Sequence, residues 1–124
     1  TYKDKILLMI KGYASNSTVQ KIWRMIGGEK ANNESFEKTI LRKIKEEMNI
    51  KIVDVKLILV SPSYDKNTYF YHGKLTDNNV NFMEREEGHE LQFFNLKELD
   101  KLQLATSTNL FFTQNRNAVE ELLN

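Results

Sequence analysis

Two adjacent carboxylates, Glu46 and Glu47, close a charged run that also holds Glu34, Arg42 and Lys43. Paired glutamates suit Mg²⁺ or Mn²⁺, hard ions that take oxygen ligands and bind through a few carboxylates together with substrate phosphates. Upstream stand Gly27 and Gly28, a pair that lets backbone approach a ligand closely or take positive φ. Arg24, just before them, carries a guanidinium able to reach a phosphate, although an arginine so placed more often lies on the surface or pairs with an acid.

These side chains need a helix to bring them together. Phe36, Ile40, Ile44 and Met48 recur at every fourth position with Leu41 beside them, which predicts one apolar stripe of an amphipathic helix directed into a core. At about 100° per residue, Thr39, Lys43, Glu46 and Glu47 fall on the neighbouring face, with Arg42 at its far border and Glu34 one turn before the run. The acids therefore converge in the C-terminal half of the helix. There they repel each other and the negative end of the helix dipole unless a cation joins them, and a divalent ion meets that need. Asn49 follows, the non-glycine residue best able to adopt a left-handed helix C-cap.

The spacing of Gly28, Glu34, Arg42, Ile44, Glu46, Glu47 and Ile50 resembles the Nudix box, Gly-x5-Glu-x7-Arg-Glu-U-x-Glu-Glu-x-Gly-U with U aliphatic. Lys43 stands where that pattern has a glutamate, and Asn49 where it has a glycine. The resemblance implies an α/β/α sandwich, a mixed β-sheet flanked by helices, here without the strand that usually comes first. It further implies divalent-metal-dependent hydrolysis of a nucleoside diphosphate linked to another moiety, with Glu46, Glu47 and the Gly28 carbonyl on the metal. Glu34 and Arg42 would brace the loop carrying Gly27 and Gly28 against the helix. Many family members add a glutamate from the loop before a late strand, and here Glu87 takes that place, with Glu86 and Glu90 behind it. His89 is a second candidate base, although a histidine near a strand start is more often structural. The family glutamate replaced by Lys43 is a metal ligand and often the candidate base, so the lysine implies weaker metal binding and slower turnover. The alternative reading is a catalytically impaired Nudix-like module that binds nucleotide or a partner.

Composition narrows the rest. With 124 residues and no long linker, one domain over 1–124 is expected. Apolar residues at 40% and charged residues at 28% exclude global disorder. A net charge of +1 removes the electrostatic case for nucleic acid, so the expected partner is a nucleotide-type small molecule. The absence of cysteine excludes disulfides, thiolate zinc sites and thiol nucleophiles, and fits a reducing compartment. No apolar run approaches a membrane span and the opening TYKDK is unlike a signal peptide, so a soluble cytoplasmic protein is expected. Oligomeric state is left open, a homodimer included.

In chain order, residues 5–11 and 20–26 read as strands joined by a polar loop at 13–19. Residues 51–61 and 67–75 read as a hairpin turned by Pro62 and Ser63, with Gly73 a candidate bulge. Tyr69, Phe70 and Tyr71 suit cross-strand packing better than a base-stacking platform. The stretch 76–88 reads as a polar loop, 89–95 as the last strand, and 96–102 as a helix capped by Asn95. Residues 107–124 read as helix packed on the sheet and interrupted near 115–117.

Overall fold

The computed structural model describes residues 1–10, 21–52, 54–63 and 66–123. The expected loop at 13–19 and the adjoining ends of its two strands lie outside the described residues. The element order is β1 (Ile6–Ile10), α1 (Phe36–Met48), β2 (Lys56–Ser63), β3 (Lys66–His72), α2 (Asp77–Phe82), β4 (Glu90–Phe94), α3 (Leu96–Leu99), α4 (Thr106–Gln114) and α5 (Arg116–Leu123). These elements form two compact units, one of residues 1–26 with 85–124 and one of residues 27–84.

In the first unit β1 pairs antiparallel with β4, Leu8 opposite Gln92. The strand expected at 20–26 is a correction: among its described residues, only isolated bridges form, Arg24 with Met9 and Trp23 with Leu104 in parallel. Period-two alternation was present, but a ladder needs successive partners along one neighbour, and Trp23 and Arg24 bridge two different ones. Trp23 lies inside, its ring edge-on to Phe94 at 4.8 Å. Among the described residues, Ile6, Leu8, Met9, Ile10, Trp23, Phe94, Leu99, Phe111, Phe112 and Val119 are the buried apolar side chains of this unit. Asn95 caps α3 in a reciprocal box with Glu98, but the helix ends at Leu99 instead of 102. The expected interruption near 115–117 narrows to Asn115, whose side chain donates to the Phe111 carbonyl at 3.0 Å. Arg116 then joins α5 to Asp100 at the end of α3, at 2.8 Å.

In the second unit α1 begins at an N-cap, Ser35, whose side chain accepts from the Lys38 N–H, and ends at Asn49 in the left-handed conformation, φ 53 and ψ 35, as expected. β2 and β3 form the expected antiparallel hairpin, but with Pro62 opposite Asn67 and Ser63 opposite Lys66. Pro62 and Ser63 are thus strand residues, because an antiparallel edge tolerates proline where no ladder N–H is required. The irregularity falls between Leu57 and Leu59, not at Gly73. Gly73 serves a different end: a Cβ there would come within 3.1 Å of Ile52 and 3.2 Å of Val55. Phe36 stacks on Tyr69 with ring centroids 3.8 Å apart, fastening α1 to β3 by aromatic packing. The stretch 76–88 is not all loop, since Thr76 and Asn79 form a capping box that starts α2.

Candidate functional site

The site residues of the second unit are built from its loop and helix. The loop from Gly27 to Ser35 has no regular structure, so side chains must hold it, and Glu34 does most of this. Arg42 donates to both of its oxygens, Nε to Oε2 at 2.8 Å and Nη2 to Oε1 at 3.0 Å. The Thr39 hydroxyl and the Ala31 N–H reach the same Oε1 at 3.1 and 3.4 Å. Planar, two-pronged pairing of this kind fixes orientation as well as charge. Arg42 turns its remaining nitrogen to the helix, where Nη1 donates to Glu46 Oε1 at 2.9 Å. One guanidinium thus joins the loop acid to the first of the paired acids.

Lys43 completes the group. Its Nζ lies 3.5 Å from Glu46 Oε2, so each oxygen of Glu46 faces a cation. Its chain lies over Gly28: a Cβ on that glycine would stand 3.1 Å from Nζ and 3.2 Å from Cδ. Glycine at 28 leaves the room that the lysine fills. Glu47 differs from its neighbour in burial, at 5% exposure, and Thr39 shares that buried face. The buried arc of α1 therefore reaches beyond the apolar stripe, while Phe36 at the stripe's start stays exposed against Tyr69.

The charges respond as this geometry requires. The Arg42 guanidinium, helped by Thr39 and the Ala31 N–H, lowers the Glu34 carboxyl to about 2. Glu46 is lowered too, first by its bond from Arg42 and then by the Lys43 charge, while the Glu34 bond raises Arg42. A carboxyl depressed on folding stabilises the fold above its unfolded value of 4.5, and that contribution is lost as pH falls toward about 2. The melting temperature of Arg42→Ala should lie below wild type above pH 4.5 and approach it toward pH 2, the gap shrinking also with added salt. Melting curves that stay parallel over that range would place both residues in solvent as an idle pair.

Gly28, Glu34, Arg42, Lys43 and Glu46 are linked by the contacts given above, and Glu47 lies on the same helix. Arg24 and Glu87 belong to the first unit. Arg24 bridges Met9 through its backbone and its side chain is exposed. Glu87 is exposed in the turn before β4, next to Gly88 at φ 82. Beside it the Glu86 carboxylate lies 3.5 Å from His89 Nδ1, and Glu90 lies 3.7 Å from Lys21. Thr39 was given no role by its type, although its position three residues before Arg42 on the acidic side was the available signal.

A glycine-bearing loop braced by a glutamate–arginine pair to a helix that ends in paired acids is the local architecture of a Nudix-type domain. The NUDIX domain model matches residues 2–114, and the chain belongs to that family. Its fold is the Nudix α/β/α sandwich, shared with a NUDIX family hydrolase from Clostridium perfringens at TM-score 0.64 and 18% identity, over 100% of this chain and 93% of that one. The NUDIX domain of Shewanella oneidensis NrtR, solved with ADP ribose, is similar at TM-score 0.64 and 18% identity over 93% and 77% of the two chains. A C. elegans Ap4A hydrolase is similar at TM-score 0.61 and 17% identity, over 97% and 88%. Among curated proteins none matches the chain in sequence.

Proposed function

We propose that this chain acts as one domain that hydrolyses a pyrophosphate bond in a nucleoside diphosphate linked to another moiety, with Mg²⁺ or Mn²⁺ as cofactor. The observation that carries this reading is the Glu34–Arg42–Glu46 chain of hydrogen bonds, which sets a loop and the acidic end of a helix in one rigid frame. The donors fit a hard ion: Glu47 is a buried carboxylate in the last turn of α1, where the dipole adds negative potential. Glu47 and Glu46, with the Gly28 carbonyl, are the residues of the second unit that would hold it. When bound, such an ion neutralises pyrophosphate charge and makes an attacking water more acidic. The protein's part is to keep Glu46 and the loop in register through Arg42, and to take the proton from water through Glu87 or its neighbours Glu86 and Glu90. Arg24 is proposed to hold a substrate phosphate. The substrate class is supported by fold relatives whose subjects are ADP ribose and Ap4A. No helix among the described residues is long and apolar enough to cross a membrane, and a cysteine-free chain suits the cytoplasm, where we place it.

A second reading has its own observation. Because Lys43 holds Glu46 by an ion pair, the same fold can bind nucleotide without turning it over. The test is a panel of dinucleoside polyphosphates, ADP ribose and nucleotide sugars, with Mg²⁺, with Mn²⁺ and with chelator. Metal-dependent release of a phosphorylated product is expected. Saturable binding without product would establish the second reading instead.

A further inference from the structure

We infer that Lys43 is a tethered cation that competes with one divalent ion for Glu46, so that the native site holds at most one ion tightly. This deepens the proposed function and rests on its reading that the acidic end of α1 binds such an ion. Glu46 has two carboxylate oxygens, and both are engaged: Oε1 accepts from Arg42 at 2.9 Å and Oε2 lies 3.5 Å from the Lys43 ammonium. A metal reaching Glu46 must displace one of them. Arg42 is the harder to displace, since the same guanidinium is held on its other side by two bonds to Glu34. Lys43 has the longer and single contact, so it is the one that yields.

The lysine is also seated, not merely near. Its side chain is 20% exposed, and its terminal atoms fill the space that any side chain at position 28 would need. The ammonium therefore lies between the Gly28 loop and the helix, beside the Glu46 oxygen that a further dication would need. A fixed positive charge a few ångströms from that place repels the ion and already satisfies the carboxylate that would draw it. The residues present thus fit one ion on the Glu47 side and do not fit another on Glu46 while Lys43 stays in place.

The experiment is Mn²⁺ titration of the substrate-free chain, by calorimetry and by electron paramagnetic resonance of free Mn²⁺, for wild type, Lys43→Met, Lys43→Glu and Glu47→Gln. Methionine keeps much of the length and apolar stem of lysine without its charge. Lys43→Met is expected to tighten Mn²⁺ binding on the order of tenfold or to add a second bound ion, and Lys43→Glu to do so further. Wild-type binding that depends on Glu47, with the same affinity and count in Lys43→Met, would overturn the role of the lysine and leave the metal reading standing. No Mn²⁺ bound by any of the four would overturn both. Binding gained only when Lys43 is replaced would support the competition and identify the native chain as the impaired form.

Discussion

Glu47→Gln is expected to lower metal-dependent hydrolysis about 100-fold or more, the scale on which removing one charge-stabilising group from a preorganised site acts. Glutamine keeps the volume and removes the charge. Glu47 is the buried member of the acidic pair, at 5% exposure. It stands in the last turn of α1, where the helix dipole adds negative potential, so in the proposed site its charge is the one a divalent ion would draw on. The check is kcat/KM at saturating Mg²⁺, alongside circular dichroism to show that α1 remains folded. Unchanged turnover in a folded variant would make Glu47 a structural residue and remove the centre of the proposed site.

Trp23→Ala is expected to cost about 3–5 kcal/mol of stability, as truncation of a buried aromatic does. Domains of this size are stable by only about 5–15 kcal/mol, so this is a large share. The ring is 5% exposed and sits edge-on to Phe94, which anchors it in the core of the first unit. Its backbone matters as much. The Trp23 N–H donates to the Gln103 carbonyl at 2.9 Å and its own carbonyl accepts from the Ala105 N–H at 2.9 Å, so the residue joins its segment to the one before α4. Urea denaturation followed by circular dichroism measures the loss, since the chain has a single tryptophan and the variant no longer fluoresces from it. A cost below about 1 kcal/mol would mean that the pocket collapses around the missing ring or that the ring was never in the core.

Much of this was legible in the residues. The four-residue recurrence from Phe36 to Met48 marked α1, the apolar run before Lys11 marked β1, and Asn95 announced the cap of α3. The box spacing pointed to the family, and the Glu34–Arg42 pairing it implied is present. Other elements were not legible, for identifiable reasons. The alternation around Trp23 looked like a strand because period two is a local property, while a ladder depends on a neighbour the local pattern does not specify. Pro62 and Ser63 have turn chemistry, yet they lie in β2, because turn formers signal only a preference that pairing partners can override. α2 was hidden because none of its residues is buried, which leaves a capping box and no apolar stripe to read.

At the site the same division holds within a single helix. That Arg42, Lys43, Glu46 and Glu47 share one side of α1 follows from its fixed rise and turn, so spacing alone determined it. The same spacing puts both acids, at i+3 and i+4, within reach of Lys43. Tertiary structure decided which: the loop brings Gly28 against the helix, its missing Cβ admits the lysine, and the ammonium faces Glu46. Burial of Glu47 and Thr39 beside exposed Phe36 was likewise decided by packing. Helical geometry orders neighbours along one chain segment, but whether a charge ends up paired, buried or free depends on what other segments place against it, and a linear pattern does not carry that.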